Sequence, residues 1–291
     1  MKKGTILLQI AKKSFNGRGQ SVAARLHVAW AKQSKSQPIL IYQMGKVGSS
    51  TVYHSLKAER LANPLFHVHF LSRDLPYYKK LHIRAGIIPV PYHLELGLAL
   101  RNQWIIKSAG KKFKVITMVR DPVARQISDI FQNPEFMGAD MRGAKRNIDP
   151  DIAIPLIKDK LYRIASYQYV FHWFDREIKA VFGLDVFGEP FDMDSGWKIY
   201  RNDHADVLVL RVEDLDRAGP IAISNFLDLP EKLNLINSNV RANTEESITY
   251  RFIKNMTNLP ASVCEQIYSS TFVRHFYNDR QIEKMISRWC N

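Results

Sequence analysis

Lys46 lies within a run of small residues, Gly45-Lys46-Val47-Gly48-Ser49-Ser50-Thr51, directly after the apolar run Ile39-Leu40-Ile41-Tyr42. Two glycines let the backbone turn tightly. A helix starting at the serines would aim N–H groups, hydroxyls and its positive end at one phosphate-sized volume. The chemistry this offers is anion binding beside an ammonium group. A second polar cluster, Arg120-Asp121-Pro122-Val123-Ala124-Arg125-Gln126-Ile127-Ser128, follows a second apolar run, Phe113-Lys114-Val115-Ile116-Thr117-Met118-Val119. Pro122 suits the first turn of a helix, on which Arg125 and Ser128 share a face, so Arg120 and Ser128 could hold a second phosphate. A nucleoside-triphosphate loop, Gly-x-x-x-x-Gly-Lys-Ser/Thr, places its lysine after the second glycine, whereas Lys46 precedes Gly48. Two separated anion sites suit a ligand charged at both ends better than a triphosphate.

A proton acceptor is sought in Leu65-Phe66-His67-Val68-His69-Phe70-Leu71. Strand alternation places His67 and His69 on one face, and His69 is nearer the carboxyl end, where ligands of open parallel sheets gather. His69 is therefore the favoured base, His67 the second candidate and Glu95 a reserve; His54, His82 and His93 are read as structural. The sequence contains no His-Glu-x-x-His, no Cys-x-x-Cys and no acidic calcium-loop repeat, so a metal-free reaction is expected.

Together the two loops, some seventy residues apart, resemble those of the sulfotransferases that use 3′-phosphoadenosine 5′-phosphosulfate (PAPS). The nearest likeness is to the bacterial capsular polysaccharide synthesis proteins, a sulfotransferase-like group, and is supported by Trp173-Phe174-Asp175-Arg176-Glu177 and Leu210-Arg211-Val212-Glu213-Asp214-Leu215. It covers roughly residues 38 to 290. The resemblance implies that Gly45, Lys46, Val47, Gly48, Ser49, Ser50 and Thr51 hold the 5′-phosphosulfate, that Arg120 and Ser128 hold the 3′-phosphate, and that Arg241 in Asn239–Thr244 is a third contact. It also implies a carbohydrate acceptor, either a polysaccharide or its lipid-linked precursor. Lys46 would then neutralise the departing phosphate while a histidine takes the acceptor's proton.

The elements that must position these residues are those of one α/β domain over 36–291. The strands expected near 38–44, 65–71, 113–119 and 206–212 alternate with helices, which predicts a parallel sheet flanked by helices on both sides, the P-loop-like sulfotransferase fold by resemblance. Residues 185–203 read as a hairpin or an irregular excursion. Ile164, Tyr167, Phe171, Phe174, Ile178 and Val181 predict one long helix with a buried face. Gln132–Pro155, with Arg142, Lys145 and Arg146, reads as a loop or lid.

The chain of 291 residues carries a formal charge of +14, with 42 basic and 28 acidic side chains, and is 46% hydrophobic. Residues 1–35 form a basic arm with eight Lys or Arg and no acid, leaving about +6 elsewhere. Ile6, Leu7, Leu8 and Ile10, then Val22, Leu26 and Trp30, give the arm short apolar stripes suited to peripheral membrane contact. No specific nucleic-acid partner is expected. No run is long enough to span a bilayer or to form a signal peptide, and Cys264 and Cys290 suggest a reducing compartment rather than a disulfide framework; the expectation is a cytoplasmic protein. The competing readings are a P-loop-like kinase using ATP and a non-catalytic protein that binds membranes or polyanions.

Overall fold

The computed structural model describes residues 18–87, 89–105, 112–132, 149–236 and 257–290. The expectations for Arg241, Asn239–Thr244, Arg142, Lys145, Arg146 and the first seventeen residues lie outside them. Five strands form one sheet: β1 (Ile39–Tyr42), β2 (Leu65–Val68), β3 (Phe113–Val119), β4 (Trp197–Arg201) and β5 (Ala205–Arg211), in the order β2-β1-β3-β5-β4. Every residue of β1 is buried, as are Val207, Leu208, Val209 and Leu210 of β5. Successive side chains of a strand face opposite sides, so helices must cover both faces of the sheet there.

Four strands are parallel. The expected wholly parallel sheet gives way at one edge, where β4 runs antiparallel to β5, with Trp197 opposite Leu210 and Arg201 opposite Asp206. The cause is a tight return: Asn202 Oδ1 accepts from the N–H groups of His204 and Ala205, both at 2.9 Å, which closes a hairpin too short for a crossover.

The helices are α1 (Arg18–Ala31), α2 (Ser49–Ala58), α3 (Leu75–Arg84), α4 (Tyr92–Leu100), α5 (Pro122–Gln132), α6 (Pro150–Tyr162), α7 (Leu215–Leu227), α8 (Ala261–Tyr268), α9 (Thr271–Phe276) and α10 (Asp279–Trp289). Within the basic arm, α1 packs its inner face, Ala24, Val28 and Ala31, into the hydrophobic core. The long helix expected over 164–181 is instead a series: a tight turn at Ile164–Tyr167, one α turn at Gln168–Phe171, a widened stretch at Phe174–Lys179 and a last turn at Ala180–Phe182. Its stripe is core, since Tyr167, Phe174 and Ile178 are buried, but the widened stretch also carries Glu177 inward. Widened turns of this kind let a helix place a side chain that regular spacing would send elsewhere.

The cysteines depart from expectation altogether. Cys264 in α8 and Cys290 after α10 form a disulfide with Cα atoms 6.3 Å apart, beside the bond from Leu259 N–H to Trp289 O (2.7 Å). Two cysteines 26 positions apart give no hint in sequence that the chain folds back between them.

Candidate functional site

Strand β1 pairs with β2 on one side and with β3 on the other, so the chain's direction of travel across the sheet reverses between β1 and β3. Open α/β sheets bind ligands at such a point, beyond the carboxyl ends of the strands. The Lys46 loop leaves β1 there and the Arg120 loop leaves β3.

The first loop is held in an uncommon backbone form. Gly45, Lys46 and Gly48 all have left-handed φ values of 81°, 64° and 77°, and Lys46 does so with a side chain, which costs about 1 kcal/mol. Neighbours over-determine the turn. Gly45 N–H donates to Gln43 Oε1, Arg120 Nη1 donates to Lys46 O at 2.9 Å, and Arg125 reaches Gly45 O (3.4 Å) and Met44 O (3.3 Å). With their carbonyls claimed from the β3 side, successive residues can present N–H groups to an anion, as backbone nests do. Helix α2 follows with no side-chain cap and no acidic residue in its first turn. Val47 is buried, so only its backbone can face a ligand.

In the second loop the members divide. Asp121 is a buried latch: its carboxylate accepts from Val123 N–H (3.0 Å), Tyr268 OH (3.2 Å) and Trp289 Nε1, while its own N–H donates to Glu213 Oε1 (2.9 Å). Tyr277 OH holds the other Glu213 oxygen at 3.1 Å. Burial pushes both carboxyls up, against the pull of their donors. Arg125 is also buried, committed to the first loop and to Asp129 (3.2 Å). Arg120 lies at the wall of a cavity of about 360 Å³ that Val212, Tyr277, Gln281, Lys284 and Arg288 help to line. Ser128 is half-buried further along α5.

The histidines form a cluster beside the first loop. Continuing the β1–β2 register from Tyr42 opposite Val68 brings Gln43 next to His69. Gln43 Nε2 donates to Ser49 Oγ (2.8 Å), so the Ser49 hydroxyl is left to donate to His67 Nε2 at 2.9 Å. His69 Nδ1 lies 2.8 Å from Gln43 Nε2 and 3.1 Å from the Gln43 carbonyl. A proton on Nδ1 serves the carbonyl and leaves Nε2 as a proton acceptor, whereas a proton on Nε2 lets Nδ1 accept from the Gln43 amide. His93, from α4, packs edge-on against His69 with ring centres 4.5 Å apart, and Tyr53 stacks on His67 at 5.2 Å.

Burial is the main reason all three imidazoles are depressed: His67 to about 4, His93 to about 3, and His69 well below its usual value. Mutual repulsion adds to this, and the Lys46 ammonium lowers His69 and His93 further, which ties the lysine electrostatically to the cluster. The rings are neutral at pH 7.

A family model described as "NKWYS: Putative capsular polysaccharide synthesis protein" matches residues 146–278. The match spans less than half of the chain and lies beyond both loops and the histidines. No curated protein and no solved structure matches. The matched stretch contributes the pins that hold the loops. Glu177 accepts from Leu71 N–H (2.9 Å), Ser72 N–H (2.9 Å), Ser72 Oγ (2.8 Å) and Tyr42 OH, fastening the chain that follows His69 to β1. Glu213 fastens Asp121. Arg211, fully buried, donates to Asp214 (2.6 Å), Gln281 (2.7 Å) and Met193 O (2.6 Å).

The remaining candidates separate clearly. Glu95, the reserve base, is buried in an ion pair with Lys79 at 2.6 Å and lines a different cavity with Ser21, Arg25 and Asn102. His54 is exposed and His82 Nδ1 contacts Tyr78 O at 2.9 Å. His93 was read as structural and is a cluster member. Gln43, which organises the cluster, had no motif to announce it. Among the described residues no group of His, Cys, Asp or Glu is arranged to hold a metal ion.

Proposed function

We propose that this protein transfers a sulfuryl group from PAPS to a hydroxyl of a carbohydrate, a polysaccharide or its lipid-linked precursor. The observation that supports this most is the junction of two anion-suited loops at one switch point, where Arg120 Nη1 donates to the Lys46 carbonyl at 2.9 Å. A donor charged at both ends of a nucleoside can lie across such a junction. The family match, named for capsular polysaccharide synthesis, supports the acceptor class.

In this reading, the loop from Gly45 to Thr51 holds the 5′-phosphosulfate, with backbone N–H groups between Lys46 and Ser50 facing it while those of Gly45 and Thr51 brace the turn, and Arg120 and Ser128 hold the 3′-phosphate. The acceptor oxygen attacks sulfur, its proton passes to His69 Nε2, and the sulfur–oxygen bond to the 5′-phosphate breaks with Lys46 neutralising the charge that develops. His67 acts as a positioning residue, because its Nε2 already accepts from Ser49. No residue here requires a metal for these roles.

Calorimetric titration with adenosine 3′,5′-bisphosphate, in parallel with ATP and magnesium, tests the class. Metal-independent preference for the bisphosphate is expected, with Lys46→Ala abolishing turnover. Preference for ATP with magnesium would replace the proposal with a kinase.

A further inference from the structure

Helix α1 is apolar on two sides. Its inner side, Ala23, Ala24, Val28 and Ala31, is fully buried against the body of the protein. Its outer side carries Val22, Leu26 and Trp30, which are 53%, 59% and 60% exposed. These recur every fourth position and so form a stripe about 12 Å long on the helix axis. Arg25 lies within the stripe and Lys35 follows the helix, both exposed. Helix α3 borders the same cavity as α1, where Arg25 and Lys79 flank Glu95, and α3 exposes Tyr77, Ile83, Lys80 and Arg84. The first 35 residues contain no acidic residue at all.

We infer that the outer face of α1, extended by α3, docks on an anionic phospholipid bilayer. A Trp 60% exposed and two exposed aliphatic side chains flanked mainly by cations suit a headgroup boundary, where the rings and alkyl groups leave water and the cations meet lipid phosphates. A purely electrostatic partner such as a polyanion would have no use for the stripe. No described helix is long and apolar enough to cross a membrane, so the mode is peripheral. The inference stands apart from the proposed reaction, since none of these residues belongs to the loops or the histidine cluster.

The test uses the whole chain with vesicles of phosphatidylcholine alone and of phosphatidylcholine mixed with phosphatidylglycerol. Co-sedimentation with the mixed vesicles is expected, weakening as salt rises, with little binding to phosphatidylcholine alone. Tryptophan emission should shift to the blue on binding, because Trp104, Trp173 and Trp289 are already buried, Trp197 is half-buried in β4, and Trp30 is the exposed reporter. The double variant Leu26→Glu with Trp30→Glu should keep the far-ultraviolet circular dichroism of the parent and bind at least tenfold more weakly. Binding undiminished in that variant would place the contact elsewhere and overturn the inference. So would failure to bind mixed vesicles at low salt. Self-association abolished by the same variant would assign the stripe to a second copy of the chain instead.

Discussion

Acidification should destabilise this fold steeply, well above the range in which carboxylates titrate. The perturbation is protonation of His67, His69 and His93. In the unfolded chain each takes up a proton near pH 6.5, but in the folded protein His67 stays neutral to about 4 and His93 to about 3, with His69 also strongly depressed. Below pH 6.5 the unfolded state therefore binds more protons, so stability is lost as pH falls from that point toward 4. Each histidine contributes a slope approaching 1.4 kcal/mol per pH unit, or about 1.3 kcal/mol between pH 7.5 and 5.5. Three together remove about 4 kcal/mol, against a typical total of about 5 to 15 kcal/mol. The assay is urea unfolding followed by circular dichroism across that window, for the parent and for His93→Gln. The change in stability between pH 7.5 and 5.5 should differ between the two proteins by the His93 share, about 1.3 kcal/mol. Asp121, Glu177 and Glu213, pushed up by burial, take protons first in the folded state and act in the opposite sense, but they are common to both proteins and cancel in the comparison. Equal pH dependence in the two proteins would refute a histidine cluster that the fold holds neutral.

Gly97 permits helix α4 to approach the chain after His69: a Cβ there would lie 2.4 Å from the Phe70 carbonyl oxygen, so Gly97→Ala should lose about 3 kcal/mol and part His93 from His69, read as a lower Tm and a weakened acid slope. Glu177→Ala strands the N–H groups of Leu71 and Ser72 and the Ser72 and Tyr42 hydroxyls, for an expected loss of about 3 to 5 kcal/mol by urea unfolding; a loss below 1 kcal/mol would mean water replaces the carboxylate. Reduction of the Cys264–Cys290 bond opens a loop of 26 residues' separation and should cost roughly 3.5 kcal/mol by the chain-entropy relation, with unchanged unfolding in reductant as the contrary result.

What could be read from the sequence was local, and what could not was brought together by the sheet. β3 and β5 announce themselves because buried parallel strands need unbroken apolar runs. Gly45 and Gly48 were legible because tight turns demand a residue that tolerates positive φ; the left-handed Lys46 between them was not, because the guanidinium groups of Arg120 and Arg125, distant in sequence, help to sustain that strain. Strand β4, Trp-Lys-Ile-Tyr-Arg, mixes cations into an edge position where one side of the backbone needs no partner, so it gives no core signature. Gln43 reads as the polar end of a strand; only the β1–β2 register sets it beside His69. His93 and Glu177 arrive from helices packed over the strands, at distances fixed by Gly97 and by a widened helical turn, and no spacing rule connects them to residues 67 to 72. A motif therefore locates the part of a site that one chain segment can build alone. The neutral histidine cluster belongs to the other kind, because its depressed affinity for protons is a property of three segments that together cover most of each ring.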